Sequence, residues 1–218
     1  MGEMKEKAFI FDMDGVIIDS EPIHSKAKLD TFRHFGIPFA EGALIHYMGR
    51  TSKDLFSEAL EMYPIKGLKP ETMMAYKHRR YLEIISEGSP LRPIEGIYEL
   101  LSELNRKNIP IRLASSTGKN LIRLVLNRLE IQEYFTVIVS GAELPRSKPD
   151  PAIYLLAAEK LGVEPAYCTV VEDAASGVAA AKAAGMYCIA YHNVNSGNQE
   201  LSRADKIVES LLEIDLTE

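Results

Sequence analysis

The chain has 218 residues, 46% hydrophobic and 26% charged, enough to bury one large core or two smaller ones. Its net charge of -6 speaks against the clustered basic face that reads a phosphate backbone, so no nucleic-acid partner is expected. No apolar run approaches the roughly 18 residues that span a bilayer and no signal-peptide segment follows the charged N-terminus, which sets the expectation of a cytoplasmic protein with no membrane partner.

Taken along the chain, the first element is a strand over Ala8, Phe9, Ile10 and Phe11, and it ends on Asp12-Met13-Asp14-Gly15. Two carboxylates thus leave an apolar strand just before a glycine turn. From about Pro22 to Pro90 there is helical periodicity but no convincing strand. Leu29, Phe32 and Phe35 form one apolar face before Gly36, Leu55, Phe56, Ala59 and Leu60 a second, and Met73, Met74, Tyr81, Ile84 and Ile85 a third. All three stripes read as packing within a helical insertion.

After the Ser89 to Pro93 turns, short β-rich runs alternate with amphipathic helices. A helix over Glu95 to Lys107 precedes a strand over Ile111 to Ala114 that ends on Ser115 and Ser116. A helix over Leu121 to Leu129 then leads to a strand over Thr136 to Val139. In Ser147-Lys148-Pro149-Asp150-Pro151, Pro149 biases Lys148 toward extended backbone, and Asp150 and Pro151 read as cap and first residue of a helix running to Leu161. A strand over Thr169 to Val171 ends on Glu172 and Asp173, and small residues from Ala174 to Ala181 suit a helix packed tightly on a sheet, with Gly185 as its stop. Further strands are expected at Tyr187 to Ala190 and near Ile207-Val208, separated by a polar Asn193 to Gln199 loop to which no function is assigned. Cys168 and Cys188 lack metal-ligand spacing and read as reduced core thiols.

This alternation predicts an α/β fold, a doubly wound parallel sheet formed by residues 1–20 and 91–218, with residues 21–90 inserted as a helical cap. In such a sheet, strand ends of one sense converge on one edge, where ligands bind. Asp12 and Asp14, Ser115 and Ser116, Lys148, and Glu172 and Asp173 therefore meet. Phosphate-ester transfer uses these types together. A cation bound between Asp12 and Asp173 neutralises the repulsion between a carboxylate nucleophile and a phosphate, and hard oxygen ligands point to magnesium. Lys148 and Ser115 offer complementary charge and a hydrogen bond to the transferring oxygens, and Asp14 is placed to protonate the leaving alkoxide and later activate water.

Four segments carry a clear resemblance: Asp12-Met13-Asp14-Gly15-Val16-Ile17-Ile18-Asp19-Ser20-Glu21, Leu113-Ala114-Ser115, Ser147-Lys148-Pro149-Asp150-Pro151, and Val171-Glu172-Asp173 followed by Ala174-Ala175-Ser176-Gly177. In order and spacing the chain resembles, over nearly its whole length, the haloacid dehalogenase-like phosphohydrolases, in the branch that holds beta-phosphoglucomutase and small sugar phosphatases. That resemblance implies Asp12 as nucleophile, Asp14 as acid and base, Ser115 and Lys148 as phosphate binders, and magnesium held by Asp12, Asp173 and the Asp14 carbonyl, with Glu172 serving the metal directly or through water. Members that cleave carbon-halogen or carbon-phosphorus bonds lack an acid at the position of Asp14, which leaves phosphomonoester hydrolysis or phosphoryl transfer between sugar hydroxyls. His24 matches a histidine shared by mutases and phosphatases of the branch, and Lys77 is expected to reach into the cleft as a cap lysine does in the mutase.

The mutase also holds its far phosphate with a cap arginine. Aligning Gly49 with the glycine before that arginine puts Ser52 at its place, flanked by Arg50 and Lys53. The expectation is therefore a magnesium-dependent phosphatase, monomeric and acting on a small phosphorylated metabolite such as a sugar phosphate, with beta-phosphoglucomutase as the alternative.

Overall fold

The computed structural model describes residues 7–47 and 51–216. In chain order, β1 (Ala8–Phe11) is followed by α1 (Glu21–His34), α2 (Ser52–Met62) and α3 (Pro70–Ser86). Then come α4 (Ile97–Arg106), β2 (Ile111–Ser115), α5 (Lys119–Arg128), β3 (Val137–Ser140), α6 (Ala152–Leu161), β4 (Cys168–Glu172), α7 (Ala175–Ala183), β5 (Tyr187–Tyr191) and β6 (Lys206–Val208).

The strands form one parallel sheet in the order β3-β2-β1-β4-β5-β6. All four residues of β1 are buried, because a central strand with helices over both faces has no polar side to alternate with. Ala8 and Ile10 join a core with Ile153, Tyr154 and Ala157 of α6 and Val178, Ala180 and Ala181 of α7. Phe9 and Phe11, of opposite parity, point to the other face, where Phe11 meets Phe135 edge-on at 6.4 Å. Leu100, Leu101 and Leu104 of α4 and Leu121, Ile122, Val125 and Leu126 of α5 are buried as their helical spacing predicts.

The chain builds outward from β1 to β2 and β3, then restarts on the other side of β1 with β4. Such a reversal opens a crevice at the carboxyl ends of the strands. Phe11 is level with Leu113 of β2 and Val171 of β4, so Asp12 and the polar ends of both neighbours emerge together. The Asp12 N–H donates to the Val171 carbonyl at 3.0 Å and carries the pairing one residue past β1.

Two compact units result. One holds the six strands and α4 to α7; the other comprises Ser20–Pro90 and the short segment Asn195–Asn198. In the helical unit Phe32, Ile37, Leu55, Phe56, Ala59 and Met73 form a core, with Phe35, Leu60 and Met74 partly buried against it. Phe32 stacks on Phe39 at 4.1 Å and meets Phe56 edge-on at 5.4 Å. No helix of the described residues is long and apolar enough to cross a membrane.

Candidate active site

Asp12 is almost fully buried, and its Oδ1 accepts from Lys148 Nζ at 2.6 Å. Lys148 sits in the segment between β3 and α6, after which the helix begins one residue later than its sequence suggests. Pro151 is the cap, Ala152 the first helical residue, and Asp150 Oδ1 accepts from the Ala152 N–H at 3.0 Å. The same ammonium donates to Glu172 Oε1 at 2.6 Å and to the Ala114 carbonyl at 3.3 Å. Lys148 therefore ties together the ends of β1, β2 and β4. Burial works against its charge, but Asp12 and Glu172 outweigh that and hold the lysine above its ordinary range.

Glu172 is fully enclosed and well supplied with donors. Oε1 accepts from Lys148 and from the Tyr154 hydroxyl at 2.7 Å, and Oε2 accepts from the N–H groups of Asp173 at 2.9 Å and Ala174 at 3.1 Å. Tyr154, on α6, also lays its ring 4.9 Å from the Lys148 ammonium. Burial, followed by the charges of Glu172 and Asp12, raises the phenol well above its usual range, so it stays a donor. Gly177 leaves room for this carboxylate, since a Cβ there would lie 1.7 Å from Glu172 Oε1. Gly15 does the same for Asp173, with 1.9 Å to Oδ2 and a φ of +85° that suits glycine alone.

Asp12, Glu172 and Asp173 offer carboxylate oxygens that all lie within 4.8 Å of one another. Burial above all, opposed by Lys148 and reinforced by the charges of Glu172 and Asp14, raises the Asp12 carboxyl from 3.8 to about 7. Three buried carboxylates around one paired lysine leave a surplus of negative charge on hard oxygen donors, a setting that fits a divalent cation such as magnesium.

Asp14 lies two residues on, in the turn where the Met13 carbonyl accepts from Ile17 and Ile18 and the Gly15 N–H donates to Ile18. Its Oδ2 accepts from Thr117 Oγ1 at 2.9 Å. Ser115 is buried at the end of β2, and its Oγ accepts from the Thr117 N–H at 3.1 Å; Ser116 is exposed beside it. Asp12, Asp14, Ser115, Lys148, Glu172 and Asp173 are thus drawn to one edge. His24 and Lys77 lie instead in the helical unit, where they pair with each other: Lys77 Nζ approaches His24 Nδ1 at 2.9 Å, and the imidazole stacks on Tyr81 at 4.1 Å. Burial first, then Lys77, Lys28 and His78, lowers His24 well below 6.5 and keeps it neutral, so that its Nδ1 accepts from the lysine. Ser52 opens α2 after a Thr51 cap and Lys53 pairs loosely with Glu71 at 3.8 Å, while Gly49 and Arg50 lie outside the described residues.

Thr117, Tyr154 and Asn193 have no counterpart in the sequence reading. Thr117 stands two residues past Ser115 at the same strand end, which is the one local signal it offers. Asn193 belongs to the polar loop to which the sequence assigns no function, yet it is buried and its Nδ2 donates to the Gly15 carbonyl at 2.9 Å. From the far end of that loop, Gln199 Oε1 accepts from the Ala175 N–H at 3.1 Å, at the start of α7.

Residues 9–191, which carry every one of these strand ends, match the haloacid dehalogenase-like hydrolase family. The chain is a haloacid dehalogenase-like hydrolase. This hydrolase is 36% identical over 196 residues to the phosphorylated carbohydrates phosphatase of Thermotoga maritima, covering 88% of each chain. It is also 36% identical to the beta-phosphoglucomutase of Bacillus subtilis, over 96% of this chain and 92% of that one. Among solved structures, CbbY of Rhodobacter sphaeroides in complex with phosphate superposes on it with a TM-score of 0.77 at 26% identity, covering 95% of this chain and 96% of the other. The hydrolase therefore shares the α/β architecture of that family as well as its sequence pattern.

Proposed function

We propose that this hydrolase is a magnesium-dependent phosphatase of small phosphorylated carbohydrates, working through a phosphate ester of Asp12. The observation that carries the proposal is the contrast between the two carboxylates of one turn. Asp12 is buried against Lys148, whereas Asp14 is half-buried and accepts from the Thr117 hydroxyl. One is set up to bond to phosphorus, the other to exchange a proton.

In this scheme Asp12 attacks phosphorus, the ester P–O bond breaks, and the proton of the Asp14 carboxyl passes to the departing sugar oxygen. Water then attacks the phosphorus, gives its proton to the Asp14 carboxylate, and the bond from phosphorus to Asp12 breaks to release orthophosphate. Lys148 and the Ser115 hydroxyl balance and orient the phosphoryl oxygens, with Ser116 beside them. Asp12, Asp173 and the Asp14 carbonyl would hold magnesium, with Glu172 in reach, and the ion would supply charge neutralisation at the phosphate. The helical unit, with His24 and Lys77, acts as the substrate-selecting cap.

Beta-phosphoglucomutase activity is the second reading, supported by the identity shared with the Bacillus subtilis mutase. Ser52 at the place expected for a phosphate-binding arginine favours the phosphatase. Phosphate release from a panel of sugar phosphates with magnesium, run beside a coupled assay for glucose 6-phosphate formed from β-glucose 1-phosphate, tests the two. Magnesium-dependent release that chelation abolishes is expected; isomerisation with little release would replace the phosphatase by the mutase.

A further inference from the structure

Thr117 is fixed from three sides. Its N–H donates to Ser115 Oγ at 3.1 Å, its carbonyl accepts from Ser140 Oγ at 2.8 Å, and its own hydroxyl donates to Asp14 Oδ2 at 2.9 Å. Ser115 and Ser140 are themselves register partners at the ends of β2 and β3, and both are buried. The two backbone bonds place the residue, and β-branching restricts where its hydroxyl can point. Asp14 has the complementary arrangement. Its backbone is set by the turn between Met13 and Ile18, and one oxygen of its side chain is bonded to a strand end 103 residues away.

We propose that Thr117 is the positioning residue for Asp14, its hydroxyl fixing the orientation of the carboxyl through the hydrogen bond to Oδ2. This inference rests on the reading of Asp14 as acid and base. Without the hydroxyl the carboxyl loses this hold on its orientation, and a misplacement of about 1 Å in a proton donor costs on the order of 100-fold in rate. The loss must depend on how much the leaving group needs a proton.

The test compares Thr117→Val, Thr117→Ser and Asp14→Asn on a sugar phosphate and on p-nitrophenyl phosphate, with circular dichroism to check each fold. Thr117→Val is expected to lower kcat for the sugar phosphate by about 10- to 100-fold, with KM little changed. The loss on the aryl ester should be much smaller, Thr117→Ser should restore most of the rate, and adding Thr117→Val to Asp14→Asn should cost nothing more. Equal losses on both esters, or a further loss in the double variant, would reduce Thr117 to a brace of the loop and overturn the proposal. If Asp14→Asn itself leaves both activities intact, it is the acid-base reading that fails, a result distinct from a Thr117→Val variant that behaves as wild type beside an impaired Asp14→Asn.

Discussion

In the sheet unit several polar side chains are tied to backbone as well as to one another, whereas in the helical unit most are tied to other side chains. Glu172 accepts from two N–H groups, Asn193 donates to the Gly15 carbonyl, Ser140 to that of Thr117, and Lys148 to that of Ala114. In the helical unit Lys77 meets His24, Lys28 meets Glu21, and Arg80 meets Asp30, Glu83 and Glu87. A side chain anchored to main chain inherits the rigidity of the fold, which suits groups that must hold reacting atoms to a fraction of an ångström. Side-chain pairs can be exchanged together without disturbing the backbone. Chemistry held constant while selectivity is revised would use this division.

Asp12→Asn attacks the rigid side of the comparison hardest. It should remove turnover by on the order of 10⁴-fold or more while the fold survives, as far-ultraviolet circular dichroism would show; near-normal rates would rule out the covalent scheme. Gly177→Ala comes next, because its Cβ would occupy the place of the Glu172 carboxylate and dislodge Lys148 with it. A rate loss of about 100-fold is expected, together with overpacking destabilisation of about 1–3 kcal/mol in chemical denaturation.

A third test uses protons. Folding raises the Asp12 carboxyl from 3.8 to about 7. Between those values the folded chain keeps a proton that the unfolded chain has lost, so the cation-free protein should lose stability as pH rises through that window. A divalent cation that prefers the charged carboxylate should then raise the thermal midpoint more at pH 7.5 than at pH 5. An equal effect at both would remove Asp12 from the metal site.

On the exchangeable side, Lys77→Met should raise KM for the preferred substrate by about 10-fold, near 1.4 kcal/mol, with kcat almost unchanged. His24 carries the opposite sign to Asp12. Its pKa falls on folding, so the helical unit should be stable above about pH 6.5 and weaken as pH drops below it, a slope that His24→Gln should flatten in limited proteolysis. The smallest effect belongs to Arg80→Ala, which breaks a mostly surface ion-pair cluster and should cost about 1 kcal/mol or less in thermal unfolding.

The strands were legible because β1, β2, β4 and β5 are short apolar runs buried on both faces, and their polar ends interrupt those runs abruptly. The gathering of Asp12, Lys148 and Glu172 followed from topology alone. Thr117, Tyr154 and Asn193 escaped notice because each acts through a partner far along the chain, at 103, 18 and 178 residues. A threonine in a turn and an asparagine in a polar loop are locally unremarkable, and only folding reveals what they hold. The start of α6 shifted by one residue for a local reason, since Asp150 captures the Ala152 N–H and leaves Pro151 at the boundary.

The chain has two cysteines, and both lie on adjacent strands of the sheet unit, Cys168 at the start of β4 and Cys188 in β5. Burial pushes their thiols up to about 11 and about 12, so in the closed fold neither presents a thiolate at neutral pH. Alkylation by iodoacetamide would therefore wait for the sheet to open and ignore any loosening of the helices. The protein carries its own clock for the opening of one half, and setting that clock against proteolysis of the other half would tell whether the two melt together or in turn.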